Sequence, residues 1–278
     1  MGTLKGITMV ALLCLLPEGV SCRGVSRPAD AGKDAARPWN DSIEAILLPQ
    51  TPKGMPEQLI YRKSYVCSYN SENRCANWSA WVLTREHANG PYRRRDVHIE
   101  GYYLEDEEGV AGRQRLSDWN KVEGYDHGHL CPSGDNKWDL EAMYETYFLS
   151  NMCVQNRMLN QGPWENLESR CREWAKRFGE LYIVTGPVFY DKEHKTTGTG
   201  LHVPDAFFKV VLCLKGTPKA IAFLYDNITP QPHEKPDSHV YNIDEIEALT
   251  GLDFFRILDD NLENALESGS DIKEWRVY

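Results

Sequence analysis

The sequence predicts an α+β fold, a central antiparallel sheet with flanking helices. Three observations carry this. Runs rich in β-branched and aromatic residues follow one another at 60–83 and again at 181–225. Helical texture is gathered into blocks between and after those runs, instead of alternating with them strand by strand. The composition, 41% hydrophobic and 26% charged over 278 residues, is that of an ordinary globular chain with enough length for a sizeable core.

At the amino terminus, Lys5 precedes an apolar stretch from Ile7 to Leu16, closed by Pro17 and small residues up to Ser21 and Cys22. That is the layout of a secretory signal peptide over 1–22, and the run is too short to span a bilayer. The expected location is therefore secreted or periplasmic. Cys22 stands where a lipoprotein carries its acylated cysteine, but Gly19-Val20-Ser21 fits poorly the residues that usually precede one. Residues 23–57 are rich in Ala, Arg, Asp, Gly and Pro without a sustained period, which predicts a linker or loosely attached arm. A single domain is expected over 58–278.

Within it, Ile60-Tyr61, Tyr65-Val66-Cys67 and Trp78 to Leu83 are strand-like. Gly90-Pro91 and the acidic Glu105 to Gly109 mark loops. Trp138 to Tyr147 is helical in texture, followed by a short extended Phe148-Leu149-Ser150. Pro163 is expected to open a stronger helix that runs to about Phe178 and ends at Gly179. Leu181 to Thr185, Ala206 to Leu214 and Ala220 to Tyr225 predict core strands. Asn242-Ile243-Asp244-Glu245 is a capping-box pattern, opening a helix that Gly251 closes.

The net charge of −10 argues against a protein that coats nucleic acid by bulk charge, although a local basic patch remains compatible with it. Of eight cysteines, Cys14 and Cys22 lie in or beside the leader. Cys67, Cys75, Cys131, Cys153, Cys171 and Cys213 remain, an even number that suggests disulfides in an oxidising compartment. Cys67 and Cys75 flank Ser68 to Arg74, which reads as a hairpin turn, and are the first pair expected to join.

The densest chemistry lies in Tyr125-Asp126-His127-Gly128-His129-Leu130-Cys131-Pro132. Histidines two apart in an extended chain point to one side, and Gly128 lets another group come close. The segment alone allows structural histidines, a zinc site through His127, His129 and Cys131, or one histidine as a general base. Downstream, amides concentrate at Asn151, Gln155, Asn156, Asn160 and Gln161, and amide oxygens are hard neutral ligands suited to Mg²⁺. Glu168 and Arg172, four apart on the following helix, can pair.

Asp126-His127-Gly128-His129 with Pro132, then Asn151, Gln155, Asn160-Gln161-Gly162, Trp164 and Glu168, closely resembles the DNA/RNA non-specific endonuclease family, the ββα-metal nucleases of the His-Me finger fold. The likeness extends from Trp81-Val82 through Tyr182 to Pro187 and on to the segment Ile246 to Phe255, about residues 58–260. It implies an endonuclease acting on DNA and RNA with one hydrated divalent cation, Mg²⁺ or another such as Mn²⁺. It further implies His129 as the general base, Asn160 as the direct metal ligand and Glu168 as the holder of a metal-bound water. Asp126, Asn151 and Gln155 would shape the substrate site, Arg172 would lie near the phosphate, and Arg94 is the choice among Arg93, Arg94 and Arg95 for a further phosphate contact.

The chain departs from the family at His127, where arginine is usual. A histidine is neutral much of the time above about 6.5, so weaker phosphate binding or activity favoured on the acidic side is expected. Two other outcomes stay open: a nucleic-acid-binding member of the fold that has lost catalysis, and a zinc hydrolase using His127, His129 and Cys131. A Cys131–Cys153 disulfide pinning the histidine strand to the amide loop competes with that zinc site.

Overall fold

A computed structural model describes residues 40–97, 103–190, 193–231 and 236–276. The expected signal peptide and residues 23–39 lie outside the described residues. In chain order the elements are α1 (Asp41–Leu47), β1 (Gln58–Tyr61), β2 (Val66–Asn70), β3 (Cys75–Thr84), α2 (Arg85–Asn89), β4 (Tyr125–His129) and α3 (Leu140–Glu145). There follow β5 (Met152–Asn156), α4 (Arg157–Leu159), α5 (Glu165–Phe178), β6 (Glu180–Val188), β7 (Ala206–Cys213), β8 (Lys219–Asp226), β9 (Val240–Tyr241), α6 (Ile243–Thr250) and α7 (Asp260–Glu267).

Seven strands form one antiparallel sheet in the order β1-β2-β3-β6-β7-β8-β9, and β4 and β5 form a separate two-stranded ribbon. The α+β expectation therefore holds. The large sheet is covered on both faces. Alternation along β3 sends Trp81 and Leu83 towards α5, which contributes Leu167 and Trp174. Ala80 and Val82 point the other way, against Ile46 and Leu47 of α1, Ile243 and Ile246 of α6 and Leu266 of α7. Burial on both sides explains why β7 reads as an almost unbroken apolar run.

Three expectations need correction. Residues 40–57 are not a loose arm: Asn40 caps α1 by accepting from the backbone N–H of Ser42 and Ile43 at 3.1 Å, and Ile46 and Leu47 are buried. Gln50 bridges to Asp253, fastening this segment to the far end of the chain. The amphipathic stretch is only two turns long, too short to stand out in a polar context. Next, Pro163 does not open a regular helix. Asn160–Trp164 is a wide π-type turn with Gly162 at φ −130° and ψ −108°, and α5 becomes regular at Glu165. Finally, the segment expected to be extended at 148–150 gives way to a 3₁₀ turn over Leu149–Asn151.

The expected cysteine pairings also fail. Cys67 lies opposite Ser79 and Cys75 opposite Asn70, three residues apart along β2. That is roughly 10 Å, beyond the ~7 Å Cα span of a disulfide. Cys153 faces Gly128, whereas Cys131 lies three residues further on with its Sγ 3.5 Å from Asn136 Nδ2. All six described cysteines are free thiols and buried. The thiols that do meet are Cys75 and Cys153. The Gln114 amide holds their strands together by donating to the carbonyls of Arg74, at 2.6 Å, and Met152, at 3.2 Å.

Candidate active site

The ribbon sets the geometry. Its register pairs Asp126 with Gln155, His127 with Val154, Gly128 with Cys153 and His129 with Met152. Strand alternation puts the two histidines on one face and Asp126 with Gly128 on the other. A Cβ at position 128 would fall 2.4 Å from Gln155 Oε1 and 2.5 Å from its Cβ. Glycine is needed here for close approach, and the Gln155 side chain lies across it. Gln155 is only 1% exposed, and its amide finds no hydrogen-bond partner among the described residues.

His127 is held between two aromatic rings. Tyr103 stacks on one face at 3.8 Å and 9°, and Trp119 on the other at 3.8 Å and 19°. Burial in this sandwich, only partly opposed by Asp126, lowers its pKa to about 4. Burial thus favours the uncharged ring in the mildly acidic range, where an ordinary histidine would take up a proton. The zinc set is corrected as well. His127 is enclosed by rings and Cys131 is buried in the main core beside Asn136. Among the described residues the only group of three or more His, Cys, Asp or Glu ligand atoms gathered closely enough for a metal lies elsewhere.

His129 presents its ring edge-on to Tyr147, 5.1 Å away at 89°. Its Nε2 has no partner among the described residues. Burial first, then the positive charge of Arg94 and the neighbouring His127, lower its pKa to about 3. At neutral pH the imidazole is therefore neutral. Arg94 reaches this rim: its guanidinium lies 5.7 Å from the Tyr147 ring centre and interacts with the Tyr103 hydroxyl. Arg93 instead donates to the carbonyls of Gly90 and Tyr92 at 2.8 Å, and Arg95 lies 4.0 Å from Asp96.

Asp126, near the start of β4, gathers the amide loop. It accepts from Arg157 Nε at 2.9 Å, Asn160 Nδ2 at 3.0 Å and Gln161 Nε2 at 2.8 Å. Burial pushes its pKa up, but the donations from Asn160, Arg157 and Gln161 prevail and hold it below the ordinary value. With its nitrogen engaged, Asn160 keeps its amide oxygen for another partner. Asp126, expected at the substrate, is instead a brace for the residue expected to bind metal.

Glu168 on α5 is 14% exposed, forms no hydrogen bond among the described residues and lies 3.9 Å from Arg172. Burial raises its pKa to about 7, with Lys209 opposing and Asp135 reinforcing the rise. Arg172 is engaged as a strut, donating to Asp135 at 2.9 Å and Ser169 at 2.9 Å. Trp81 Nε1 holds the other Asp135 oxygen at 3.1 Å. Asn151 is a correction to the substrate set. It is fully buried, its oxygen accepting from Ser79 Oγ and the Cys131 N–H, its nitrogen donating to the carbonyls of Cys131 and Thr146. No donor is left for a substrate. It pins the chain two residues past His129.

Sequence reasoning missed Lys209. It projects from β7 to the α5 side of the sheet, 1% exposed, with Nζ 5.0 Å from the Trp81 ring centre and 4.8 Å from that of Trp164. No acceptor reaches it among the described residues, and it is the chief positive influence on Glu168. A lysine inside Phe-Phe-Lys-Val-Val was the available signal. The aromatic pair Tyr103 and Trp119 carried none, being over twenty and eight residues from His127.

The chemistry of the donors suits a hard divalent cation: an oriented neutral amide oxygen on Asn160 and a carboxylate on Glu168 with no competing hydrogen bond.

The family model for DNA/RNA non-specific endonucleases matches residues 44–261. A nuclease from Nostoc sp. is 30% identical over 247 residues, covering 83% of this chain and 87% of the relative. Nuclease C1 of Cunninghamella echinulata is 31% identical over 230 residues, covering 78% and 89%. Human mitochondrial endonuclease G is 32% identical over 171 residues, covering 57% of this chain and 56% of the relative. The crystal structure of the EndoG/EndoGI complex superposes with a TM-score of 0.67 at 22% identity, over 79% of this chain and 94% of that one.

Proposed function

Because the chain belongs to the DNA/RNA non-specific endonuclease family, we propose that it cuts phosphodiester bonds of DNA and RNA with His129 as general base beside a single hydrated Mg²⁺. The observation that carries this is His129 itself: its ring is braced by Tyr147 and its Nε2 is left without a partner among the described residues. A neutral imidazole in hydrogen-bond reach of a water accepts its proton as the water attacks phosphorus.

Asn160 would hold the cation through its amide oxygen, and Glu168 would hold one of its waters. A bound divalent cation supplies positive charge against the phosphate oxygens and the leaving 3′-oxygen. Asp126 orients Asn160. Arg94, exposed at the His129 rim, meets the phosphate backbone, and contacts of that kind ignore base identity. Export through residues 1–22 belongs to the same proposal, resting on the sequence pattern there.

The test is cleavage of supercoiled plasmid and of a structured RNA by the purified chain with Mg²⁺ and with EDTA. Cutting of both substrates, abolished by EDTA, is expected. Failure to cut in any divalent metal would instead favour a member that only binds nucleic acid.

A further inference from the structure

On the sheet face opposite α5, three carboxylates converge. Asp244 lies in the first turn of α6, Glu247 one turn further along, and Glu267 at the last position of α7. One ligand oxygen from each lies within 4.8 Å of the others. Acidic side chains gathered in this way repel one another, and surface clusters usually relieve that by turning into water. Glu267 does not. It is only 7% exposed, and its Oε1 is buried with no hydrogen-bond partner among the described residues. An ionised carboxylate left so is costly unless something positive meets it.

No such partner stands among the described residues. None of the three carboxylates has a Lys or Arg ion pair among the described residues. The charges that act on Glu267 come from Glu247, Glu263, Asp244 and Asp253, all acidic. Glu247 is held in place by the Phe254 N–H, which donates to its Oε1 at 2.7 Å and leaves the other oxygen for the cluster. Burial and this crowding push Glu247 up to about 7 and Glu267 up to about 8.

We propose that Asp244, Glu247 and Glu267 form a calcium site that ties α7 to α6. Ca²⁺ takes oxygen ligands at about 2.3–2.6 Å, so two ligands of one ion lie up to about 5 Å apart, and it tolerates an irregular, partly hydrated set. Mg²⁺ demands a tighter octahedron and keeps most of its waters, so it suits this all-carboxylate pocket less well. The site is separated from His129 and Glu168 by the sheet: Ile243, Ile246 and Leu266 pack in one core and Trp164 and Leu167 in the other. Its ion is structural. It neutralises a buried carboxylate and fixes the carboxyl-terminal helix to the sheet.

The experiment uses the full chain carrying Asn160→Ala, so that the proposed catalytic cation cannot contribute, stripped with chelator and dialysed. Calcium binding is followed by equilibrium dialysis and by thermal midpoint. One Ca²⁺ per chain is expected, with a midpoint raised by several degrees at saturating Ca²⁺ and by less at equal Mg²⁺. Glu267→Gln should weaken calcium binding about tenfold or more and diminish the thermal shift, since ligand charge sets affinity in such sites. Asp244→Asn, at an exposed position, serves as the second variant should the first fold poorly, and the same loss is expected. No calcium-dependent shift in the parent chain, or an undiminished shift in Glu267→Gln or in Asp244→Asn, would overturn the proposal.

Discussion

Asn160 donates its amide hydrogen to Asp126 across 3.0 Å. The contact joins the histidine ribbon to the amide turn and turns the Asn160 oxygen away from Asp126. A ligand fixed by a second residue binds metal better than a free one, and loss of such support typically costs about 10–100-fold. Asp126→Ala is therefore expected to raise the Mg²⁺ concentration for half-maximal cleavage by about tenfold or more, with smaller loss of rate at saturating metal. An unchanged metal requirement would remove Asp126 from this role.

His127 has a definite sign for pH. Its folded pKa, about 4, is depressed from the ordinary value near 6.5, so folding favours the neutral ring. The stability this contributes is complete above about 6.5 and is lost as pH falls towards 4. His127→Phe keeps an aromatic ring between Tyr103 and Trp119 and cannot be protonated. The drop in thermal midpoint between pH 7.5 and pH 4.5 should be smaller in this variant than in the parent. Equal drops would mean that the sandwich does not hold the ring neutral.

Lys209 acts on Glu168 from beneath. Lys209→Met preserves length and packing between Trp81 and Trp164 while removing the charge that opposes the upward shift of Glu168. The pH at which Mg²⁺ activates cleavage should move up by about one unit, because the carboxyl keeps its proton longer. A profile identical to that of the parent would assign Lys209 to packing alone.

Much of this site was legible in the chain, and the limits have physical causes. His129, Asn160 and Glu168 belong to short segments whose order survives as a motif, and the Asn242 capping box with Gly251 is a local signal. The brace from Asp126 to Asn160 spans 34 positions, and nothing local announces it. Asn151 looks like a site amide in sequence because its four hydrogen bonds come from residues as distant as Ser79. Lys209 was hidden by a strand buried on both faces, where alternation gives no inward or outward side. The carboxylates of α6 and α7 read as solvated helix residues until the helices are packed together.

The thiols offer an independent check on the fold. Cys75 and Cys153 adjoin, while Cys67 and Cys75 are held apart by the strand register. If the mature chain reaches an oxidising compartment, peptide mapping without reduction should recover a link between Cys75 and Cys153 and none between Cys67 and Cys75. A Cys67–Cys75 peptide would contradict the register of β2 and β3.

The central claim is tested most directly at His129, by single-turnover cleavage of a DNA duplex at saturating Mg²⁺. His129→Ala should lower the rate by about 10²–10⁴, as loss of a general base does. Its thermal midpoint should fall less than that of the parent between pH 7.5 and pH 4.5, because the parent's ring is held neutral down to about 3 and loses stability as pH drops below about 6.5. A His129→Ala rate within a few-fold of the parent would contradict the account.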